Sequence, residues 1–433
     1  MGNPQPFQPG RDFAVALDRG DPLGRFRDEF HIPRSDNGEE EIYFAGNSLG
    51  LLPKRTPKYV DEELEKWKRL AVKAHFSGEN PWMPYHELLA EPMAKLVGAS
   101  ASASISEVVT MNSLTVNLHL MMTSFYRTTR ERYRILLEDH AFPSDDYAIE
   151  SQAIVHGFDP AEALVRLRPG KGKHSIETAD VAQVLEREGE SIALVLLPGV
   201  QYYTGQAFEI EAITRLAHGK GCVVGFDLAH AAGNLVLRLH EWNVDFAVWC
   251  TYKYLNSGPG SVGGCFVHER HGMQHDLPRL AGWWGHDKKS RFRMEPGFRP
   301  IPGAEGWQLS NPPILSLAAI RASLDVFMEA GGMEPLREKS VRLTAYLEWL
   351  LQREIGDSVE ILTPADPRRR GCQLSFRVKA HSSGSGRTVF EKLEASGVTC
   401  DWRQPDVIRL APVPLYNRYE EVHRFVQVLR NAL

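Results

Sequence analysis

Short apolar runs alternate with helix-like segments through the middle of the 433-residue chain, and this alternation constrains the fold more than any other feature. The runs are rich in Val, Ile, Leu and Phe, as buried strands are. The predicted strands span residues 107–111, 133–137, 191–197, 222–226, 246–251 and 264–267. Helix-like stretches fall between some of them, at 114–125, 178–188 and 209–219. Strands that alternate with helices predict an α/β fold with a mostly parallel sheet, covered by helices on both faces.

An acid, a histidine and a lysine follow two consecutive predicted strands. Asp227 and His230 come at the end of the run 222–226, and Lys253 follows the run 246–251. Ligands of such sheets bind at the carboxyl ends of the strands, where these three side chains are expected to lie. Pyridoxal phosphate (PLP) needs a lysine for its Schiff base and a carboxylate against its pyridinium nitrogen. The pattern therefore favours a PLP site.

The start of the predicted helix 114–125 is a candidate site for the cofactor phosphate. Free backbone N–H groups and the helix dipole make a helix N-terminus a natural anion site, and Leu114 and Thr115 begin this helix. A second candidate segment follows the strand 133–137, where Phe142 could stack on a planar ring and Ser144 and Asp145 offer polar contacts. The structural alternatives are a simple helix cap and an ordinary strand-to-helix turn.

The pattern of predicted secondary structure changes beyond Pro313. Two long helices, at 314–328 and 333–351, precede shorter elements, which is typical of a smaller α+β domain. The other predicted elements are helices at 57–72, 388–395 and 419–429 and strands at 372–378 and 407–410. The start of the chain is polar and weakly periodic, so we expect an arm with one short helix. The predicted organisation is an N-terminal arm (1–44), a large cofactor-binding domain (45–313) and a small C-terminal domain (314–433).

Composition and charge restrict the class of protein. Hydrophobic residues make up 43% of the chain, which is ordinary for a globular protein, and the net charge is −5. Without a basic field, nucleic acid is not an expected partner, and no apolar run approaches the roughly 18 residues of a membrane span. No signal-peptide pattern is visible. The five cysteines form no Cys-x-x-Cys pair, so we expect reduced, buried thiols in a cytoplasmic protein.

Eight distinctive strings of residues are spread over about residues 43 to 417. They are Tyr43–Gly50, Asn112–His119, Leu197–Gln206, Asp227–Ala231, Trp249–Asn256, Gly282–His286, Ser310–Pro313 and Arg409–Asn417. With these strings the chain resembles the kynureninases, fold-type I PLP enzymes of the aminotransferase superfamily. An Asp-x-x-His followed by a later lysine is shared across that superfamily. The Gly-Asn-Ser-Leu-Gly and Ala-Pro-Val-Pro-Leu-Tyr-Asn strings are far more particular.

The resemblance implies a role for each matching residue. Lys253 forms the Schiff base, Asp227 pairs with the pyridine nitrogen, and Arg409 holds the substrate carboxylate. Tyr252 is the candidate proton carrier, with a phosphate hydrogen bond as the alternative. The implied cofactor contacts, some of them supplied by the partner subunit of a homodimer, are Leu114, Thr115, Phe142, Asp145, Asp227, His230, Tyr252, Lys253, Trp283 and Asn311. Pro198 stands where some relatives carry a serine, and it is left out of the site.

The implied reaction is hydrolysis of the small-molecule substrate L-kynurenine, or of its 3-hydroxy derivative, to an anthranilate and L-alanine. This step belongs to tryptophan catabolism and NAD precursor synthesis, and no metal is expected. His75, Ser310 and Asn311 match residues that line the aryl pocket of eukaryotic-type kynureninases. A pocket with hydrogen-bonding groups discriminates strongly for a ring hydroxyl, so we expect 3-hydroxykynurenine to be preferred.

Two other functions are compatible with parts of the pattern. The first is a class V aminotransferase or cysteine desulfurase-like enzyme on the same fold, and a desulfurase would need an exposed, nucleophilic cysteine. The second is a PLP-binding regulator, which would need a DNA-binding module that the sequence does not suggest.

Overall fold

The computed structural model describes residues 6–101, 105–274, 276–379 and 385–433. Contacts within the chain divide it into two compact units. The first unit comprises Met1–Lys54, Tyr202–Ala207 and Val326–Leu433, and the second comprises Arg55–Gln201 and Phe208–Asp325. The domain boundaries given above from the sequence stay predictions.

The strands are short, and most of them coincide with apolar runs of the sequence. In chain order they are β1 (Ile42–Tyr43), β2 (Val108–Thr110), β3 (Arg134–Glu138), β4 (Leu164–Leu167), β5 (Ile192–Pro198), β6 (Val223–Asp227), β7 (Phe246–Trp249), β8 (Gly264–Val267), β9 (Val359–Ile361), β10 (Leu374–Val378), β11 (Val398–Thr399), β12 (Asp401–Arg403) and β13 (Val407–Leu410).

The α-helices range from single turns to 18 residues. In chain order they are α1 (Arg11–Arg19), α2 (Thr56–Leu70), α3 (Ala90–Val97), α4 (Leu114–Phe125), α5 (Pro143–Val155), α6 (Pro160–Ala163), α7 (Thr178–Glu188), α8 (Ile210–His218), α9 (Glu269–Gly272), α10 (Ile314–Glu329), α11 (Met333–Leu350), α12 (Gly386–Ala395) and α13 (Tyr419–Ala432).

The second unit is built on a seven-stranded sheet with the strand order β2-β8-β7-β6-β5-β3-β4. The strands from β7 to β4 pair in parallel, and β8 and β2 extend one edge antiparallel. The segment 250–263 between β7 and β8 contains no helix, and without a helical crossover the chain returns in the opposite direction. The predicted α/β fold with a mostly parallel sheet is confirmed.

Helix α4 is apolar on nearly all sides because it lies in the core of the second unit. Leu118 and Met121 are fully buried. Phe125 stacks on Phe246 of β7, with ring centroids 5.1 Å apart, and on Trp307 at 6.2 Å. A helix packed in this way against the sheet holds its first turn in a fixed position, and that turn is a candidate anion site.

The first unit contains a smaller antiparallel sheet in the order β12-β13-β10-β9 and a two-stranded parallel sheet of β1 and β11. Its hydrophobic core joins the sheet to helices α11 and α13, through side chains that include Leu347, Phe376, Phe425 and Leu429. Helices and an antiparallel sheet in one unit agree with the α+β pattern of elements that the sequence predicts beyond Pro313.

The N-terminal segment is tied to helix α13 by polar contacts. The Asp18 carboxylate accepts hydrogen bonds from the backbone N–H groups of Tyr419 (2.7 Å) and Glu420 (3.0 Å), which are among the unsatisfied donors of the first turn. Arg27 is buried, and its Nη1 lies 3.0 Å from Oε1 of Glu421, which is also buried. These contacts attach the N-terminal segment to the last helix, and its assignment as an arm over residues 1–44 stays a prediction.

Two general expectations can be compared with the structure. All five cysteines lie among the described residues, and each is buried and outside any disulfide. Within the described part of the chain, no helix combines the length and the apolar character that crossing a membrane requires.

We predict that Arg27→Ala lowers the free energy of unfolding by about 3–5 kcal/mol, because it leaves the buried Glu421 carboxylate without its cation. Arg11→Ala is a matched control, since Arg11 pairs with the neighbouring Glu420 at 2.7 Å but is 71% exposed. That variant should lose less than about 1 kcal/mol. Urea denaturation of both variants measures the difference, and equal losses would contradict the assignment.

Candidate active site

The central residues of the site follow two adjacent parallel strands, β6 and β7. Asp227 is the last residue of β6 and is in register with Val248 of β7. Lys253 lies in the loop after β7, and its Nζ is 3.0 Å from Nε2 of His230. The structure therefore brings together the acid, the histidine and the lysine that the sequence pattern singled out.

Asp227 is a buried carboxylate with several stabilising partners. Its Oδ1 accepts a hydrogen bond of 2.6 Å from the Ala229 backbone N–H. Burial raises the pKa of Asp227, and a hydrogen bond with Asp145, the Ala229 N–H and the positive charge of Lys253 limit the rise. Asp227 is thus the acid of this group best placed to carry a negative charge.

Asp145, in the first turn of α5, is the protonated partner of Asp227. Burial and the charge of Asp227 raise the pKa of Asp145 well above its usual value. A carboxyl group that shares a hydrogen bond with a carboxylate must supply the proton, so Asp145 donates and Asp227 accepts. The Oδ1 atom of Asp145 is buried and has no hydrogen-bond partner among the described residues.

Glu138 is a buried acid that the sequence prediction missed. It is the last residue of β3, and burial together with the charge of Asp227 raises its pKa well above the usual value. Its direct continuation of the apolar run 133–137 was a signal in the sequence, since a glutamate at the end of a buried strand is unusual. Near Asp227 the protein therefore places two further carboxyls whose raised pKa favours the neutral form.

Two helix N-termini meet beside this group. The Thr115 hydroxyl, in the first turn of α4, lies 2.7 Å from the hydroxyl of Ser144, in the first turn of α5. A Cβ atom at Gly263 would lie 3.1 Å from the Leu114 nitrogen, so glycine leaves space at the start of α4. Converging N–H groups and hydroxyls suit a phosphate. The sequence predicted only a polar contact from Ser144, and the structure places its hydroxyl against that of Thr115.

Aromatic side chains flank the lysine. The Phe142 ring centroid is 5.8 Å from Lys253 Nζ, and the Tyr252 centroid is 5.9 Å from the same atom. Phe142 is partly exposed, as a ring that stacks on a ligand must be. Burial and the neighbouring Cys250 raise the pKa of Tyr252, so its hydroxyl stays protonated at neutral pH.

His75 and Trp283 belong to one exposed aromatic cluster, which we define as His75, Phe76, Trp82, Trp283 and Phe292. Centroid distances within it are 6.2 Å from His75 to Phe76, 6.2 Å from Phe76 to Phe292 and 5.4 Å from Phe292 to Trp283. The exposed fractions of Phe76, Phe292 and Trp283 are 66%, 53% and 40%.

Ser310 and Asn311 are exposed and lie in the loop that precedes helix α10. The structure thus places both of these predicted aryl-pocket residues at the surface of the second unit, and their role as pocket residues stays a prediction.

Arg409 lies in the first unit, on β13. It is 1% exposed, and its Nη1 donates a hydrogen bond of 2.6 Å to the backbone carbonyl of Tyr202. Its Nη2 pairs with the carboxylate of Asp401, the residue directly opposite on β12. The arginine that the sequence predicted to bind a carboxylate is therefore buried, and its guanidinium is bound by partners of its own unit.

The residues of the second unit fit PLP. A buried carboxylate beside a lysine at the ends of adjacent strands matches the pyridine nitrogen and the aldehyde of the cofactor. The unpartnered Oδ1 of Asp145 offers a further polar contact, and the paired helix N-termini offer an anion site. The lysine would hold the aldehyde carbon, Asp227 the ring nitrogen, Phe142 the ring face, and Thr115 with Ser144 the phosphate.

Solved structures share this fold. The apo cysteine desulfurase from Thermococcus onnurineus NA1 matches with a TM-score of 0.72 and 17% identity, over 90% of this chain and 94% of that one. A mutant of C-DES with glycine covalently linked to its PLP cofactor matches with a TM-score of 0.73 and 18% identity, over 93% and 98%. The fold and the site define a PLP-dependent enzyme of fold type I.

Sequence comparisons narrow the class to a family. The family model for the kynureninase C-terminal domain matches residues 336–429. A kynureninase of Koribacter versatilis (strain Ellin345) is 56% identical over 421 residues, which is 97% of both chains. One of Myxococcus xanthus (strain DK1622) is 54% identical over 99% of both chains. The chain belongs to the kynureninase family.

We predict that Lys253→Ala holds PLP only loosely and forms no borohydride-reducible bond with it. Lys220→Ala is the control, since Lys220 is a partly exposed lysine of the same unit that pairs with Glu186. It should keep the reducible adduct. Mass spectrometry of peptides after reduction measures both variants, and an adduct on another lysine would show that the assignment is wrong.

The proton assignment of the Asp145–Asp227 pair predicts a difference between two conservative variants. Asp227→Asn should retain PLP but lose turnover by about 100-fold or more, because an amide cannot supply the negative charge. Asp145→Asn replaces one neutral donor by another and should stay within about tenfold of the wild-type turnover. Steady-state kinetics at saturating PLP compares them. Equal losses in both variants would contradict the assignment.

Proposed function

We propose that this protein hydrolyses the Cβ–Cγ bond of L-kynurenine or 3-hydroxy-L-kynurenine, giving an anthranilate and L-alanine, with PLP as cofactor. The observation that carries the proposal is the buried Asp227 carboxylate beside Lys253, at the carboxyl ends of adjacent parallel strands, in a chain of the kynureninase family. The roles given to individual residues below rest on their geometry and on the resemblance.

PLP, when bound, supplies an electron sink for the amino acid joined to it. The Lys253 amine removes the proton from Cα of the substrate, and His230 at 3.0 Å from Nζ accepts or supplies a hydrogen bond during this transfer. Asp227 would hold the ring nitrogen of the cofactor with its negative charge. Tyr252, whose hydroxyl remains protonated, donates a proton to the leaving carbon.

The atoms of the reaction balance with one water. The hydroxyl of water goes to the aryl carbonyl carbon and makes the carboxylate of the anthranilate. Its hydrogen goes to Cβ, which becomes the methyl group of L-alanine. No oxidant or reductant is consumed. Arg409 holds the α-carboxylate through a guanidinium, which suits a carboxylate because its N–H groups form a planar fork.

The cysteine desulfurase alternative is not favoured. A desulfurase needs an accessible cysteine with an activated thiolate. All five cysteines of this chain are buried, and burial raises the pKa of Cys222, Cys250, Cys265 and Cys400. The solved structures of the cysteine desulfurase and of C-DES are 17–18% identical to this chain, and a likeness at that level shows the fold alone.

We also infer a homodimer, in which residues of both subunits complete each site. The exposed aromatic cluster supports this, because large apolar side chains gathered at one surface favour burial by another protein. The buried, reduced cysteines support a cytoplasmic location. In that setting the reaction would serve tryptophan catabolism and the supply of NAD precursors.

His75 supports a preference for the 3-hydroxy substrate. Its Nδ1 lies 3.1 Å from the carbonyl oxygen of Val72. A carbonyl only accepts hydrogen bonds, so Nδ1 carries the proton and Nε2 is left as an acceptor. Such an acceptor, with the amide of Asn311, would satisfy a phenolic hydroxyl.

We predict that the purified protein releases an anthranilate and L-alanine in equal amounts from both substrates, with the larger kcat/KM for 3-hydroxykynurenine. Asn311→Thr should lower kcat/KM for the hydroxylated substrate by about tenfold and leave that for kynurenine nearly unchanged. Chromatography of both products, at several substrate concentrations, gives these constants.

The results of this assay test the proposed reaction and the proposed substrate preference separately. A wild-type preference for kynurenine would refute the role of His75 and Asn311 and leave the reaction intact. Absence of an anthranilate from both substrates, with PLP bound, would refute the reaction itself.

A further inference from the structure

The Gly46-Asn47-Ser48 string has no role in the cofactor chemistry described above, and it belongs to the same unit as Arg409. The two are connected through Asp401. Asp401 and Arg409 are paired residues in the antiparallel register of β12 and β13, so their side chains project on the same face of the sheet. The Asp401 carboxylate pairs with Nη2 of Arg409.

Asp401 is itself held in place by two further groups. The Ser48 hydroxyl donates a hydrogen bond of 2.8 Å to Oδ2 of Asp401. The guanidinium of Arg403 lies 3.3 Å from the same oxygen. Since Asp401 is almost completely buried, these contacts fix the direction from which it meets Arg409.

The other end of the guanidinium is held by a second chain of contacts. The Tyr202 carbonyl that accepts from Arg409 also accepts a hydrogen bond of 2.9 Å from Nε2 of Gln373. The Oε1 atom of Gln373 accepts from Nδ2 of Asn47 at 3.2 Å. Consecutive residues of one string, Asn47 and Ser48, therefore reach Arg409 by two separate routes.

The charges of this group favour an anionic ligand. One carboxylate, Asp401, lies between two guanidinium groups, Arg403 and Arg409, so the three side chains carry one net positive charge. Asp401 orients Arg409 and offsets part of the cost of burying it, but it does not cancel the charge of the whole group.

We propose that Asp401, held by Ser48, is a positioning residue that sets the orientation of Arg409 toward the α-carboxylate of the substrate. This inference rests on the proposed function, in which Arg409 binds that carboxylate. It gives the Gly46-Asn47-Ser48 string a role in substrate recognition, through the arginine and not through the cofactor.

Three variants with PLP bound test the proposal: Asp401→Asn, Asp401→Glu and Ser48→Ala. The Asn variant keeps the shape and loses the charge, whereas the Glu variant keeps the charge and displaces it. Both should raise KM for kynurenine and the Kd of L-alanine about tenfold, with kcat changed by less than about twofold. Ser48→Ala should shift both constants in the same direction by a smaller factor. Isothermal titration calorimetry with L-alanine gives a measure that is independent of turnover.

Asp366→Asn is the matched control, because Asp366 pairs in the same unit with Arg368, whose side chain is 88% exposed. It should leave KM, Kd and the melting temperature unchanged. If Asp401→Asn does not fold, Ser48→Ala decides the test, since Ser48 is only half-buried.

Other results would overturn the proposal. An unchanged or lowered KM and Kd in Asp401→Asn would mean that Asp401 only balances charge or competes with the substrate. A fall in kcat alone would assign it to a different step. If the wild type binds L-alanine but does not cleave kynurenine, the proposed reaction is wrong. The Kd of L-alanine in the Asp401 variants still tests the role of Asp401 in that case. An unchanged Kd for L-alanine in Arg409→Lys would remove Arg409 from carboxylate binding and this proposal with it.

Discussion

The placement of a buried Asp227 carboxylate near the Lys253 amine depends on a property of parallel sheets. Neighbouring parallel strands end on the same edge, so residues that follow β6 and β7 meet there although 26 positions separate them in the chain. A single buried charge costs several kcal/mol, and an opposite charge nearby offsets that cost. The sheet, the helices that cover it and the apolar strand sequences are what make this juxtaposition stable.

The acids around Asp227 limit the site to one negative charge. Glu138 and Asp145 are buried near it, and burial together with the charge of Asp227 raises the pKa of each well above its usual value, which favours the neutral form. Three ionised carboxylates in this volume would repel one another strongly in a medium of low dielectric. A single charge matches a single pyridinium, and the neutral Asp145 adds a proton donor that orients the Asp227 oxygens. The electrostatics of the site are thus matched to one cation.

Much of the fold could be predicted because buried strands and helices appear in the sequence as runs of apolar residues. Helix α4 begins and ends at the predicted residues, and β8 and β13 also coincide with their apolar runs. The strand β4, Leu164–Leu167, was missed because it is only partly buried and carries Arg166. Helix α5 was missed because its apolar residues follow no clear helical period, as expected of a helix whose exposed face includes Ile154 and Val155.

The candidate site was predictable to a different extent in the two units. Asp227 and Lys253 can be recognised in the sequence because each is a charged residue that follows a predicted buried strand. The contacts of Arg409 depend instead on pairing between strands that are distant in sequence from residues 46–48. Strand register and the direction of Ser48 cannot be obtained from local pattern. Asp401, Ser48 and Tyr202 share one unit with Arg409, so these contacts of the guanidinium lie within the first unit. In the proposed function, recognition of the substrate carboxylate by Arg409 and the cofactor chemistry therefore rest on separate sets of contacts, and a substitution is expected to alter one and spare the other.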